Sequence, residues 1–176
     1  MRQLKVKDSA IQFTGKDING KTVNLKDYKG QKVFLTFFRV ATCPFCNMAV
    51  RELINSHAEL EKKGIKVIAF FASTADEINE YAGKQKPPFS IVADPDFKIY
   101  KKYNINASYG GMMKTMINPV RVFKAMTSGF FNMKSMNKKP IIPADFLLDE
   151  NQKIIKAHYG KDFGDHITVP ELLNAF

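Results

Sequence analysis

Residues 33–46 read VFLTFFRVATCPFC. The apolar run, taken as residues 32–38, predicts a buried central strand because it offers both faces of a sheet to the core. A helix is predicted directly after it, since Pro44 is acceptable in a first helical turn and apolar residues then recur at helical spacing until Gly64. The stretch therefore predicts a strand, a tight turn and a helix.

The chain has two cysteines, Cys43 and Cys46, three positions apart. A disulfide that closes so short a loop stabilises a fold very little, so redox chemistry or metal binding explains the pair better. Unpaired amides at a helix N-terminus stabilise a thiolate. We therefore expect Cys43 to be the nucleophile and Cys46 to close the disulfide ring. Zinc is not expected, because it needs about four ligands and few His residues accompany the pair.

Several neighbouring residues are candidates for the same site. Arg39 could hold a thiolate or an anionic substrate through charge-assisted hydrogen bonds, or could form a surface ion pair. Thr42 could bond the sulfur or only shape the turn. Residues 157–166 contain two His and two Asp; they could form a metal site or place His158 as a proton-handling group, but an ordinary loop is favoured.

The remaining pattern predicts one α/β domain over residues 1–176, with a mixed sheet and helices on both faces. A hairpin is predicted at residues 11–18 and 21–25, strands at 65–71, 89–93, 146–148 and 154–157, and helices at 74–82, at 94–103 and after Thr168. Residues 104–142 form an insert with six of the eight methionines. It is predicted to be either a helical segment whose methionines fill core gaps or an apolar, basic surface for a partner.

The distribution of charged residues shows a basic region but does not identify what binds to it. The net charge is +10, and residues 97–144 hold nine Lys or Arg and no Asp or Glu. No apolar stretch approaches the roughly 20 residues that span a bilayer, and the N-terminus lacks the apolar region of a signal peptide. We therefore expect no membrane association and a cytoplasmic location, and no motif supports a nucleic-acid partner.

The chain resembles the thioredoxin-like superfamily, and within it the AhpC/TSA or peroxiredoxin-like branch. The matching segments are FTGKDINGKTVNLKDYKG (13–30), VFLTFF (33–38), IVADP (91–95) and IPADFLLD (142–149). They cover most of the chain except the insert. The resemblance implies a thioredoxin-like fold, and it implies that Pro143 is a cis-proline that faces the cysteine pair and helps to dock an extended substrate.

The sequence departs from the family at the motif. Peroxiredoxins carry Pro-x-x-x-Thr-x-x-Cys, so aligning Cys43 with the last position puts Val40 at the Thr and Thr36 at the Pro. Aligning Cys46 there instead puts Cys43 at the Thr and Arg39 at the Pro. Thioredoxin also has a buried Asp on the strand before its motif, whereas residues 33–38 contain no acid. The proton relay must therefore differ or be absent.

The sequence supports three functions. The first is a thiol-disulfide oxidoreductase in which Cys43 attacks and Cys46 resolves, and the second is a peroxidase in which Cys43 becomes a sulfenic acid. The third is a redox-sensing binding module with a basic, Met-rich surface. The enzymatic readings need no cofactor beyond the dithiol; they imply a disulfide or peroxide substrate and a thiol electron donor such as thioredoxin or glutathione. A homodimer is left open.

Overall fold

A computed structural model describes residues 2–130, 134 and 138–175. A five-stranded mixed sheet runs in the order β5-β4-β3-β6-β7, and β1 and β2 form a separate hairpin. The strands are β1 (Thr14–Lys16), β2 (Thr22–Asn24), β3 (Lys32–Phe37), β4 (Ile65–Phe71), β5 (Ser90–Ala93), β6 (Ala144–Leu148) and β7 (Ile154–Tyr159). The central strand β3 is parallel to β4 and antiparallel to β6. The predicted mixed sheet is confirmed.

The helices flank this sheet. They are α1 (Pro44–Asn55), α2 (His57–Lys62), α3 (Ala75–Glu80), α4 (Lys98–Lys102), α5 (Tyr109–Ile117), α6 (Pro119–Thr127) and α7 (Val169–Leu173). The single helix predicted up to Gly64 is wrong in one respect, because it breaks at Ser56. There the backbone leaves helical geometry (φ −98°, ψ 3°), as expected of a residue whose hydroxyl competes for backbone hydrogen bonds.

Aromatic packing fixes the end of the sheet from which the cysteine loop emerges. The rings of Phe37 on β3 and Phe70 on β4 stack with centroids 4.3 Å apart. The buried Tyr100 hydroxyl donates to the carbonyls of Phe38 at 2.6 Å and Phe70 at 2.9 Å. Because Tyr100 ties the two strand ends together, the segment after Phe38 starts from a rigid point.

The described part of the insert contains the two helices α5 and α6, and most of the exposed large apolar side chains among the described residues lie on them. They are Tyr109, Met113, Met116, Ile117, Val120, Phe123 and Met126. The interpretation that the methionines fill core gaps is therefore wrong for Met113, Met116 and Met126, each more than half exposed. Their helices are short and present these side chains away from the sheet. Met133 and Met136 lie outside the described residues.

The expected cis-proline is also wrong, since no peptide bond in the described ranges is cis. A trans bond before proline is favoured by about 0.5–1 kcal/mol, and the extended chain here satisfies its polar groups. The Ile142 amide donates to the Asn106 carbonyl at 3.3 Å, and the Pro143 carbonyl accepts from the Gly160 amide at 2.9 Å. Pro143 still directly precedes Ala144, which pairs with Phe37.

Candidate active site

The cysteine pair lies where the sequence predicts. Cys43 is the N-cap of α1 with extended backbone (φ −73°, ψ 119°), Pro44 follows as the first helical residue, and Cys46 lies in the first turn. Both thiols are free and about 1% exposed. The helix therefore directs its unpaired amides toward the Cys43 sulfur.

A buried asparagine holds the loop in front of the helix. The Asn47 side-chain amide donates to the carbonyls of Ala41 at 2.7 Å and Cys43 at 2.9 Å. The Ala41 amide in turn donates to the Ser73 hydroxyl at 3.1 Å. Sequence reasoning missed Asn47, although a polar residue one turn after Cys43 on an otherwise apolar helix face was an available signal.

The two thiols differ in acidity. The pKa of Cys43 is lowered to about 7, chiefly because the Cys46 thiol donates a hydrogen bond to it. The backbone amides of Cys46 and Phe45 and the charge of Arg39 act in the same direction, while burial opposes them. Burial raises the pKa of Cys46 well above its usual value. Cys43 is therefore the thiolate near neutral pH, and Cys46 keeps its proton.

Arg39 is buried, 3% exposed, so the surface ion pair that the sequence left open is wrong. Its guanidinium donates from Nε to the Lys139 carbonyl at 2.9 Å and from Nη2 to the Lys138 carbonyl at 2.6 Å. It also lies over the Phe163 ring at 4.5 Å. The end of the insert thus contacts the residue whose charge lowers the pKa of Cys43.

A buried acid does lie next to β3, but it comes from the neighbouring strand. Asp145 on β6 pairs in register with Thr36 on β3 and is fully buried. Its carboxylate accepts from the Thr36 hydroxyl at 2.8 Å and the Ile167 amide at 2.7 Å, and it contacts His166 Nδ1 at 3.0 Å. Sequence reasoning did not find this network, because its members meet only through the sheet.

His158, on β7, is engaged elsewhere. His158 Nε2 lies 3.1 Å from the Asp165 carboxylate. The Cys43 charge is among the groups that raise the pKa of His166. Among the residues described, no group of three or more His, Cys, Asp or Glu could hold a metal ion.

A cavity of about 320 Å³ lies between the sheet and α1. Its wall combines apolar side chains with a histidine: it is lined by Phe34, Thr36, Phe38, Phe45, Met48, Ala49, Glu52, Leu53, Gly164, His166, Ile167, Thr168 and Val169. Phe45 stands between the two cysteines in the sequence. The cavity therefore adjoins the cysteine helix and can accept an apolar group.

The remaining predicted site residues stay candidates. Thr42 and Pro44 are buried and flank Cys43 in the sequence.

No helix in the described part of the chain is long and apolar enough to cross a membrane.

Comparison with known proteins identifies relatives along most of the chain. The AhpC/TSA family model matches residues 6–157. Peroxiredoxin Bcp of Escherichia coli K12 is 29% identical over 115 residues, which are 65% of this chain and 74% of that protein.

Two solved structures show the fold. Peroxidoxin BcpB from Mycobacterium tuberculosis superposes with a TM-score of 0.72 at 12% identity, covering 98% of this chain and 96% of that one. The thioredoxin domain of a thiol-disulfide oxidoreductase from Bacteroides vulgatus gives 0.54 at 18% identity, covering 92% and 94%. The predicted thioredoxin-like fold is confirmed, and this fold alone does not separate peroxidases from disulfide-exchange enzymes.

Proposed function

The chain belongs to the AhpC/TSA family and is a thiol-dependent oxidoreductase, and we propose that it is a thiol peroxidase that reduces hydrogen peroxide or organic hydroperoxides. The observation that carries the proposal is the acidity of the cysteine pair. Cys43 has a pKa of about 7 at the start of α1, while Cys46 beside it keeps its proton. A thiolate and a protonated resolving thiol are the two groups that peroxide reduction needs.

In the proposed cycle, the Cys43 thiolate attacks the terminal oxygen of ROOH. The O–O bond breaks, Cys43 becomes a sulfenic acid, and the RO⁻ group leaves as ROH after taking up a proton. Cys46 then attacks the sulfenic sulfur, and a disulfide and one water form. An external dithiol restores both thiols by exchange. No cofactor beyond the dithiol takes part in this cycle.

Relatives named peroxiredoxin support peroxide reduction over disulfide exchange as the main reaction. The cavity beside α1 supports organic hydroperoxides as substrates, since Phe45, Met48 and Leu53 offer an apolar wall to a hydrocarbon group. Disulfide exchange remains the competing function, because the same acidic Cys43 would attack a disulfide by the same route.

Single-turnover kinetics test the proposal. The fully reduced protein is mixed with hydrogen peroxide or cumene hydroperoxide without oxygen, and thiol loss is followed. We expect a rate far above that of free cysteine, a stable sulfenic acid in Cys46→Ser, and no fast reaction in Cys43→Ser. A wild-type rate equal to that of free cysteine would leave disulfide exchange as the function. Fast reaction in Cys43→Ser would exchange the roles of the cysteines, as the alternative motif alignment has it.

For the electron donor, we propose an acidic protein dithiol of the thioredoxin class, docking on the exposed face of α5 and α6. The exposed apolar side chains of these helices need a partner surface. The absence of acidic residues from residues 97–144 favours a negatively charged one. The carbonyls of Lys138 and Lys139, near the end of the same insert, bind Arg39, and this supports docking on the side of the fold that carries the cysteines. A second copy of this chain carries the same positive charge and fits this face poorly.

The proposed location is the cytoplasm, where such thiol donors keep cysteines reduced. Reduction by a small thiol such as glutathione would make the α5–α6 face unnecessary. Substitutions on that face should therefore slow reduction by a protein donor and leave reduction by a small thiol unchanged.

A further inference from the structure

Asp145 and His166 form a buried acid–histidine pair. The Nε2 atom of His166 has no role in the cycle proposed above. The Asp145 carboxylate accepts hydrogen bonds from Thr36 and from the Ile167 amide. An ionised carboxylate only accepts, so the third contact, His166 Nδ1 at 3.0 Å, must be an N–H that donates. Asp145 therefore fixes the ring orientation of His166 and leaves Nε2 as its free position.

Nε2 of His166 is buried and has no hydrogen-bond partner among the described residues. A buried polar atom without a partner costs about 1–3 kcal/mol, so its position calls for an explanation. His166 lines the cavity beside α1, opposite Phe45 and Met48, and its ring lies 4.9 Å from that of Phe38. The amide of the next residue, Arg39, donates to the Cys46 sulfur at 3.4 Å. The charge of Cys43 also acts on His166, and His166 lines the cavity that adjoins the helix of both cysteines.

We propose that His166 is the proton-transfer residue of the cysteine pair, held in place by Asp145 and Thr36. The inference rests on the proposed peroxidase function. As imidazolium, His166 gives its Nε2 proton to the RO⁻ group that leaves when the Cys43 thiolate breaks the O–O bond. As neutral imidazole, it then accepts the Cys46 thiol proton and returns it to the leaving hydroxide as water. The reactants are ROOH, the Cys43 thiolate, the Cys46 thiol and the His166 imidazolium. The products are ROH, water, the Cys43–Cys46 disulfide and neutral His166.

The charges around His166 suit the first of these steps. Burial opposes a charge on the ring, but the Asp145 carboxylate, with Cys43 and Asp165, raises the pKa of His166 above its usual value. Glu52 of α1 is a further acidic group on the cavity wall. The negative charge of a Cys43 thiolate therefore favours the protonated form of His166.

The second step needs a base. Burial raises the pKa of Cys46 well above its usual value, so its thiol does not ionise unaided near neutral pH. General acid–base catalysis by a positioned histidine contributes about 10²–10⁴-fold. Disulfide formation should therefore depend on His166 more strongly than on any other ionisable side chain outside the pair.

The test compares His166→Gln and Asp145→Asn with His158→Gln, which removes the Asp-paired histidine on β7. Each reduced protein is mixed with excess hydroperoxide between pH 5 and 9, and sulfenic acid and disulfide are measured separately. We expect disulfide formation to slow roughly 10²-fold in the first two variants, with sulfenic acid accumulating and the wild-type pH dependence lost. His158→Gln should follow the wild type.

Chemical rescue distinguishes proton transfer from a structural role. In His166→Ala, free imidazole added to solution should restore disulfide formation, because the enlarged cavity can admit it; a purely structural histidine would not be replaced in this way. Wild-type rates and pH profile in His166→Gln, or no rescue in a folded His166→Ala, would overturn the inference while leaving the peroxidase intact. A wild type no faster than free cysteine would instead overturn the peroxidase, and with it this role.

Discussion

Arg39 lies over the ring of Phe163, with the guanidinium carbon 4.5 Å from the ring centroid. Phe163 follows β7, and its amide donates to the Thr115 hydroxyl on α5 at 3.0 Å. Phe163 therefore connects Arg39, through its ring, with helix α5 of the insert, through its backbone amide. A cation held in this way cannot leave the site, and its charge acts on the Cys43 sulfur from a fixed position.

Replacing the arginine should make Cys43 less acidic. In Arg39→Gln the favourable charge is lost, so the pKa of Cys43 rises from about 7. The hydrogen bond from Cys46, the largest cause of the lowering, remains. A rise of one unit would reduce the thiolate fraction at pH 7 roughly fivefold. The pH dependence of Cys43 alkylation by iodoacetamide, read by mass spectrometry in the protein that keeps Cys46, measures the shift.

Arg51→Gln is the matched control, because Arg51 also lies over an aromatic ring, that of Phe130, at 4.3 Å. Its alkylation midpoint should equal that of the parent. An unchanged midpoint in Arg39→Gln would mean that the arginine supports the loop without tuning the thiol.

Asn47 should contribute mainly to stability and to loop geometry. Asn47→Ala leaves the Ala41 carbonyl without its side-chain donor, whereas the Cys43 carbonyl keeps its bond from the backbone amide of residue 47 at 3.2 Å. A buried group without a partner costs about 1–3 kcal/mol, so the free energy of unfolding in urea should fall by a similar amount. Asn79→Ala is the control, since the exposed Asn79 makes a single bond to the Ile18 carbonyl and its loss should cost little. Equal losses in the two variants would contradict a special role for Asn47.

Filling the cavity should discriminate between substrates by size. Ala49 lines the cavity on α1, and Ala49→Phe would occupy much of its roughly 320 Å³. We expect the ratio of the rate constants for cumene hydroperoxide and hydrogen peroxide to fall at least about tenfold, since a lost apolar contact of this size is worth about 1.5–3 kcal/mol. Parallel single-turnover assays give the ratio. A ratio equal to that of the wild type would show that the organic group binds elsewhere.

The sequence revealed the cysteine helix because every signal for it is local. The apolar run, Pro44 and the helical spacing all fall within a few residues of the thiols. Asp145 and Thr36 lie 109 positions apart and meet only when β6 pairs with β3. No periodicity in either segment indicates this contact, and the two His and two Asp of residues 157–166 do not show that His166 meets Asp145. The sequence offers His158 only as an alternative to an ordinary loop, and the fold pairs that residue with Asp165.

The α5–α6 face should matter for a protein donor and not for a small one. Met116→Ser with Phe123→Ser removes two exposed apolar contacts, so reduction of the oxidised enzyme by an acidic thioredoxin should slow about tenfold or more, as expected when interface anchors are truncated. Reduction by dithiothreitol should not change, because that reagent needs no docking surface; it also reports on whether the variant is folded.

The rate with thioredoxin should fall as salt is added, since the attraction to the basic insert is screened. Val6→Ser, which removes an exposed apolar residue outside the insert, should react like the wild type. Equal slowing with both reductants would assign the effect to the cysteine site, and no slowing with either would exclude this face as the docking surface.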